Sequence, residues 1–156
     1  MKTYNILGID EFKTKIGSNS RLLGIDPGKK NIGLAICDES KAVATPFKTL
    51  IKIKFDSLLT EISKIILENE IKGIVIGKPI NMDGSLGRAA QSSIDFANNL
   101  SKNVTIPITL WDERLSSEAA FKITKELNTN VSKKIKNLDK NSAAFILQGA
   151  IDYLAN

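Results

Sequence analysis

The stretch that decides the fold reads Leu22-Leu23-Gly24-Ile25-Asp26-Pro27-Gly28-Lys29-Lys30-Asn31-Ile32-Gly33. Its first part is an apolar run typical of a buried strand, and this run carries an aspartate straight into a Pro-Gly turn. The apolar pattern resumes after the turn, so the stretch predicts a β-hairpin. The segment Leu7-Gly8-Ile9-Asp10 repeats four of these letters without the turn residues after them. The hairpin raises the question of why a buried strand ends on a carboxylate.

The pattern around this hairpin predicts one mixed sheet. Turn residues and apolar runs first mark three strands, at Arg21 to Asp26, Asn31 to Cys37 and Ala42 to Ile51. Helices and strands then alternate, with a helix from Asp56 to Asn69, a strand from Gly73 to Gly77, a helix from Ser85 to Leu100 and a strand from Val104 to Trp111. The C-terminal part contains a helix from Ser116 to Leu127, a polar basic segment from Asn128 to Leu138 and a final helix with an apolar stripe from Ala143 to Leu154. Tight turns favour an antiparallel meander, and the later strands follow helical crossovers. We therefore predict an α/β fold with five strands and helices on both faces. Residues 1–20 are predicted to be a short extension with a flexible joint, and residues 21–156 to form one domain.

Composition excludes several kinds of chemistry. The 156 residues contain no histidine, which rules out Ser-His-Asp and Cys-His catalysis and histidine metal ligands. The single cysteine, Cys37, forms no intrachain disulfide and is predicted to be a small buried apolar residue. No apolar run approaches a membrane span, and the first 20 residues do not resemble a signal peptide, so the expected location is the cytoplasm.

Acidic residues stand at the ends of the predicted elements. Asp26 closes the first strand, and Asp139 opens the last helix. The last strand ends on Asp112-Glu113. Because the carboxyl ends of parallel strands meet at one edge of a mixed sheet, Asp26 and Glu113 are predicted to converge there, with Asp139 brought beside them.

Three carboxylates held together repel one another unless a cation lies between them. Mg²⁺ prefers oxygen ligands and often shares its shell with substrate phosphates, and Mn²⁺ accepts similar ligands. Two such ions, roughly 3.5–4 Å apart, stabilise both the attacking and the leaving oxygen of a phosphoryl displacement. The acids therefore predict a site for two Mg²⁺ or Mn²⁺ ions, and the first strand ends on a carboxylate because that carboxylate is a metal ligand.

Each acid also has a purely structural interpretation. Asp26 before Pro-Gly is a common turn residue, and Asp139 is a suitable helix N-cap. Strand alternation directs only one of Asp112 and Glu113 toward a given face, and the other is expected to form a salt bridge or to face solvent. Their joint placement, in a chain without histidine, favours the metal site.

Basic residues suggest a polyanionic partner. The net charge is +5, which favours nucleic acid but also fits a chain kept soluble by its charge. The candidate phosphate-binding residues flank the acids or the central loop: Lys29, Lys30, Arg88, Arg114, Lys133, Lys134, Lys136 and Lys140. Such charge runs are often only solvated surfaces, and Arg114 could instead neutralise Asp112. Aromatic residues make up 6% of the chain, and the sequence shows no interleaved base-stacking platform.

Four motifs resemble those of the YqgF family, the Holliday-junction-resolvase-like proteins of bacteria. They are Gly24-Ile25-Asp26-Pro27-Gly28 with Asn31-Ile32-Gly33, Gly77-Lys78-Pro79-Ile80-Asn81-Met82-Asp83-Gly84-Ser85, Asp112-Glu113-Arg114-Leu115-Ser116-Ser117, and Asp139-Lys140-Asn141-Ser142-Ala143-Ala144-Phe145-Ile146-Leu147-Gln148. The resemblance runs from about Arg21 to the C-terminus. Lys78 departs from the family pattern, in which an apolar residue is more frequent at this position.

The resemblance implies an RNase H-like fold and metal-dependent phosphodiester cleavage, with Asp26, Glu113 and Asp139 as the active-site carboxylates and metal ligands. Family members are described as nucleases that process the 5′ end of pre-16S ribosomal RNA, and an earlier proposal was the cleavage of Holliday junctions. The implied partner is therefore nucleic acid, as precursor rRNA or pre-ribosomal particles, with the protein acting as a monomer or a weak homodimer and without a membrane.

Three alternatives stay open on sequence. A DNA junction resolvase would use the same chemistry but needs two active sites in a symmetric dimer. The Gly-x-Asp-x-Gly turn also resembles the phosphate-binding hairpin of actin-like and sugar-kinase ATPases, although this chain is short for that class and lacks a second phosphate loop. A non-catalytic RNA-binding assembly factor would bind RNA in a salt-dependent manner without cleaving it.

Overall fold

A five-stranded mixed sheet forms the centre of the molecule. The computed structural model describes residues 5–52, 54–81, 83–115 and 142–155. The strands are β1 (Arg21–Pro27), β2 (Asn31–Cys37), β3 (Ala44–Ile51), β4 (Ile71–Lys78) and β5 (Ile108–Asp112), in the spatial order β3-β2-β1-β4-β5. The β1–β2 and β2–β3 pairs are antiparallel, and the β1–β4 and β4–β5 pairs are parallel. This topology confirms the predicted meander followed by parallel crossovers.

Helices cover both faces of the sheet, as predicted. They are α1 (Ile9–Ile16), α2 (Phe55–Glu68), α3 (Arg88–Ser101) and α4 (Ser142–Leu154). One apolar cluster joins α2 and α3 to the first sheet face through side chains such as Ile62, Leu100 and Ile25. A second cluster joins α1 and α4 to the opposite face through Phe12, Leu147 and other buried residues. The sheet is therefore the middle of three layers.

The N-terminal segment, predicted as a short extension with a flexible joint, contains the helix α1. Phe12 and Ile16 of α1 are buried in the second cluster, and Ser20 is also buried. The backbone N–H of Leu7 donates to the carbonyl of Ile108 at 2.8 Å, which adds a short bridge to the β5 edge. The described part of this segment, residues 5–20, thus packs against the sheet. The prediction missed α1 because its apolar stripe is only two buried residues long.

The element bounds agree closely elsewhere, with two shifts. α3 begins at Arg88 rather than Ser85 because Ser85 forms a turn with Asp83, whose carboxylate accepts from its backbone N–H at 2.9 Å. β5 begins at Ile108 rather than Val104. The predicted helix from Ser116 to Leu127 and the polar segment from Asn128 to Leu138 lie outside the described residues.

Two further features of the described chain bear on the sequence predictions. Cys37 is a buried free cysteine, which confirms its predicted apolar role. Within the described ranges, no helix combines the length and the apolar character that a membrane crossing requires.

Glycines without side chains allow α4 to lie close to the sheet. A Cβ on Gly24 of β1 would come within 2.7 Å of Leu147 Cβ, and a Cβ on Gly77 of β4 within 2.5 Å of Ile146 Cδ1. A side chain at Gly24 would push α4 away from the sheet, and one at Gly77 would displace the side chains of Ile146 and Glu113. This close approach sets the position of the first residues of α4 over the ends of β1 and β4.

Candidate active site

The carboxylate of Asp26 lies at the carboxyl end of β1, on the face of the sheet that α4 covers. Asp26 pairs with Gly33 of β2, and cross-strand partners project to the same face. The Ser142 hydroxyl, from the first residue of α4, donates a hydrogen bond to Asp26 Oδ2. Asp26 is half-buried, so its carboxylate is fixed by the fold while part of it stays open to solvent.

Glu113 reaches the same edge of the sheet from the end of β5. The parallel register pairs Gly77 of β4 with Trp111, two residues before Glu113. A Cβ on Gly77 would lie 3.1 Å from Glu113 Oε2, so the absent side chain leaves room for this carboxyl group. Since β4 lies between β1 and β5, Gly77 lies between the two strand ends that carry Asp26 and Glu113.

The electrostatics of Glu113 indicate that the two acids are close. The pKa of the Glu113 carboxyl is raised to about 7, mainly by burial and then by the negative charges of Asp26 and Asp112. A carboxyl group at the end of one strand is therefore destabilised as an anion by a carboxylate at the end of another. This is the environment of a paired carboxylate site, in which a bound cation would offset the repulsion.

Asp112 is engaged in an ion pair with Arg114. Its carboxylate accepts from Arg114 Nε at 3.1 Å and from Arg114 Nη2 at 2.8 Å. These hydrogen bonds, the largest cause, lower the pKa of Asp112. The structure thus separates the consecutive acids as strand alternation predicted, with Asp112 in a salt bridge and Glu113 beside Asp26.

Arg114 therefore occupies the second of its two predicted roles. It neutralises Asp112, and its Nη1 also donates to the carbonyl of Asn81 in the loop after β4 at 3.4 Å. This contact joins the β4–α3 loop to the end of β5. Arg114 is half-buried, and phosphate binding by its side chain stays a prediction.

The remaining predicted site residues fall into two groups. Lys29, Lys30 and Arg88 are exposed, the lysines in the β1–β2 turn beside Asp26 and the arginine at the start of α3. The other group lies outside the described residues: Asp139, Lys133, Lys134, Lys136 and Lys140. Among the described residues there is no cluster of three or more Cys, Asp or Glu side chains placed to bind a metal ion. The described part of the candidate site is the pair Asp26 and Glu113.

Sequence reasoning missed the residues that position this pair. Ser142 was visible only as part of a motif at the start of the last helix, where a serine is usually interpreted as a cap. Gly77 was visible as part of a loop motif, but not as a position whose missing side chain leaves room for Glu113. The available signal for both was their presence in the four motifs, but their contacts are long-range and no local pattern specifies them.

Comparisons with known proteins place this geometry in a family. A family model described as "RuvX: Holliday junction resolvase" matches residues 20–153. This chain belongs to the RuvX family. The match covers all four motifs and confirms the resemblance to YqgF proteins, which are the same family.

RuvX relatives cover the chain at its full length. A protein of Pelagibacter ubique named "Putative pre-16S rRNA nuclease" is 52% identical over 97% of this chain and 100% of its own length. One of the same name from Rhodobacter capsulatus is 42% identical over 96% of this chain and 94% of its own length. The RuvX family is thus one of nucleases and resolvases, which are hydrolases that act on phosphodiester bonds.

A solved structure confirms the fold of this RuvX protein. The yeast mitochondrial Holliday junction resolvase Ydc2 superposes with a TM-score of 0.52, covering 94% of this chain and 85% of that chain at 12% identity. Similarity at this identity bears on architecture alone. The predicted RNase H-like fold, with its mixed sheet and flanking helices, is confirmed.

Proposed function

We propose that this protein is a divalent-metal-dependent endonuclease that processes the 5′ end of pre-16S rRNA in ribosome biogenesis. The observation that carries the proposal is the convergence of Asp26 and Glu113, which is close enough for the charge of one to raise the pKa of the other. A carboxylate pair at the carboxyl edge of a parallel β1–β4–β5 unit suits a ligand that bridges the strands. The proposed substrate implies a cytoplasmic location.

The residues of this site fit a divalent metal ion. Both carboxylates are half-buried, both are oxygen donors, and their repulsion disfavours the doubly ionised pair without a cation. Asp26 and Glu113 would hold the metal, as two Mg²⁺ or Mn²⁺ ions, together with Asp139 from the segment before α4. When bound, such ions supply Lewis-acid stabilisation of the phosphate charge and acidify a bound water.

The chain's own residues prepare the site. The Ser142 hydroxyl, hydrogen-bonded to Asp26 Oδ2, holds that carboxylate in one orientation. Gly77 leaves room for the Glu113 carboxyl group to reach this edge of the sheet, because a Cβ at Gly77 would lie 3.1 Å from Glu113 Oε2. The exposed Lys29 and Lys30 adjoin Asp26 in the hairpin turn and can bind the flanking phosphates.

The relatives' name supports precursor rRNA as the substrate, since the two described above cover this chain almost completely and carry that name. A four-way DNA junction is the second candidate, and the family description supports it. The two differ in the assembly they need, because a junction resolvase acts on two strands with two symmetry-related sites. We propose a monomer or a weak homodimer for the rRNA-processing activity.

The test is cleavage of both substrates by the full-length protein. Precursor 16S rRNA and a four-way DNA junction are each incubated with Mg²⁺ or with a chelator, and the molar mass is measured by light scattering under the same conditions. We expect Mg²⁺-dependent cleavage of the RNA, which Asp26→Asn abolishes and Asp38→Asn retains, because Asp38 is an exposed aspartate in the β2–β3 turn.

Other outcomes would contradict the proposal in distinct ways. Wild-type rates for Asp26→Asn would remove Asp26 from the catalytic site. Cleavage of the junction by a stable dimer, with the RNA left intact, would favour the resolvase. Salt-dependent RNA binding without cleavage in Mg²⁺ or Mn²⁺ would indicate an assembly factor.

A further inference from the structure

A groove lies between the start of α4 and the β2–β3 side of the sheet. The register places Gly33 of β2 opposite Asp26, and Thr49 of β3 opposite Gly33. Two strand spacings span about 10 Å, so the exposed Thr49 lies roughly that far from Asp26. The lining residues are Gly33, Leu34, Pro46, Phe47, Lys48, Thr49, Ala143 and Ala144. The groove adjoins the candidate active site, since Gly33 pairs with Asp26 and Ala143 follows Ser142.

Small side chains keep the inner half of this groove open. Gly33 has no side chain, and a Cβ there would be 3.5 Å from Ala143 Cβ and 3.7 Å from Asp26 Cβ. The helix contributes only the methyl groups of Ala143 and Ala144. Gly33 and Ala143 therefore form the inner end of the groove, next to Asp26, and a bound molecule would lie outward from them along β3.

An aromatic side chain stands at the outer end of the groove. Phe47 is 46% exposed on β3, where the register shifts between the Ala35–Pro46 and Leu34–Lys48 pairs and leaves Phe47 unmatched. An unmatched residue of this kind marks a β-bulge, which redirects a side chain and is frequent next to active sites. The exposed phenyl ring offers an apolar surface that a ligand in the groove can cover.

The charge around this end of the sheet suits a polyanion. The exposed Lys30 and Lys52 adjoin each other, since the backbone N–H of Lys52 donates to the carbonyl of Lys30 at 2.9 Å. Both follow the strand ends nearest Asp26. The groove thus combines a cavity of about 190 Å³, an exposed aromatic ring and nearby ammonium groups, and proteins that bind single-stranded nucleic acid combine aromatic and basic side chains in this way.

We propose that this groove binds an unpaired nucleotide next to the scissile phosphate, with Phe47 stacking on its base. The inference rests on the proposed nuclease function and adds a substrate class to it, namely a strand that is single-stranded at the cleavage point. The sequence indicated no interleaved stacking platform, and in the structure one exposed aromatic ring, that of Phe47, lines the groove beside Asp26. Stacking tolerates any base, so Phe47 selects unpaired strands rather than a sequence.

The test measures binding in chelator, where no cleavage occurs. The probe is a single-stranded RNA that carries 2-aminopurine at successive positions flanking the cleavage site mapped for the wild type, with the same sequence as a duplex for comparison. We expect Phe47→Ala to weaken single-strand affinity by roughly 5- to 150-fold and to remove the fluorescence quenching at one position. Phe47→Trp should restore both. The control is Leu67→Ala, since Leu67 is an apolar residue 82% exposed on α2, outside the groove.

Several results would overturn the inference. One is unchanged affinity and quenching in Phe47→Ala. Another is an equal loss of affinity for the duplex and for the single strand. A change from dimer to monomer in Phe47→Ala, with quenching retained, would make Phe47 a contact between two copies of the protein. If Phe47→Ala failed to fold by circular dichroism, Phe47→Leu and Phe47→Trp would decide, because equal quenching by both excludes stacking. A wild type that cleaves RNA while Phe47→Ala behaves identically would overturn this inference alone, whereas a wild type that neither binds nor cleaves would overturn the nuclease function as well.

Discussion

The Ser142 hydroxyl donates a hydrogen bond to Asp26 Oδ2, across 116 positions of the chain. The bond connects the first residue of α4 to the carboxyl end of β1. It fixes the orientation of a carboxylate that the motif pattern marked as a metal ligand, and such supporting partners usually matter for activity nearly as much as the ligands they orient.

Removal of this hydroxyl should therefore slow cleavage. We expect Ser142→Ala to lower kcat by about 10- to 100-fold with a smaller effect on KM, because Asp26 loses its orientation while the substrate-binding surface is unchanged. Ser142→Thr retains a hydroxyl and should recover part of the rate. The matched control is Ser40→Ala, since Ser40 also donates to an aspartate, Asp38, but in the exposed β2–β3 turn. Equal rates for Ser142→Ala and the wild type would contradict a positioning role.

Ionisation of Glu113 should lower the free energy of unfolding of the metal-free protein as the pH rises. Its pKa is about 7 in the folded state and has its ordinary value of 4.5 in the unfolded state. Between these values the folded state binds more protons, so the free energy of unfolding decreases as the pH rises, and the loss is complete above pH 7. In chelator, Glu113→Gln should unfold at a higher temperature than the wild type at pH 8, by on the order of 5 °C, and at nearly the same temperature at pH 4.5.

This comparison cancels the contribution of every other titrating group, because only Glu113 differs. Glu39→Gln, a change at an exposed glutamate, serves as the control for loss of one negative charge. Calorimetry or circular dichroism gives the unfolding temperature. A constant difference between wild type and Glu113→Gln across this pH range would contradict the desolvated, repelled state of Glu113.

The close packing of α4 on the sheet should make Gly24 intolerant of a side chain. Its Cβ would lie 2.7 Å from Leu147 Cβ and 3.1 Å from the backbone carbonyl of Ala143, neither of which can rotate away. We expect Gly24→Ala to lower the free energy of unfolding by about 1–3 kcal/mol in chemical denaturation. Gly8→Ala is the control, because Gly8 has a φ of −63° and open space around its Cβ position. Equal stability of the two variants would show that α4 can move away from the sheet without loss.

The lysines beside the groove should contribute to RNA affinity through phosphate contacts. Lys30→Ala and Lys52→Ala are each expected to weaken RNA binding and to reduce the slope of log affinity against log salt by about one unit or less. The control is Lys72→Ala, since Lys72 is exposed near the start of β4, at the opposite end of the parallel strands. Filter binding at several salt concentrations gives the slopes, and an unchanged slope for both variants would exclude these two contacts.

Local sequence patterns predicted most of the sheet. Alternating or continuous apolar runs bounded by Pro, Gly and Asp specify strands and turns through backbone sterics, so β1, β2 and their turn agree with the prediction almost to the residue. Yet the letters Leu-Gly-Ile-Asp form the end of strand β1 at 23–26, whereas at 7–10 they lead into helix α1, which begins at Ile9. The same four residues adopt different structures because the turn after Asp26 and the neighbouring strands select extended backbone in one case, and the apolar pair Phe12 and Ile16 favours a helix in the other.

The sequence by itself determined which residues could act: acids at element ends, no histidine, and lysines beside them. Their placement at element ends follows from the sequence because strands and turns are largely specified by local backbone preferences. Only the tertiary structure decided that Glu113, rather than Asp112, lies beside Asp26 and that Ser142 orients Asp26. It also decided that Phe47 lines a groove next to Asp26. These relationships depend on strand register and on how closely α4 approaches Gly24 and Gly77, and both are set by packing between segments far apart in the chain.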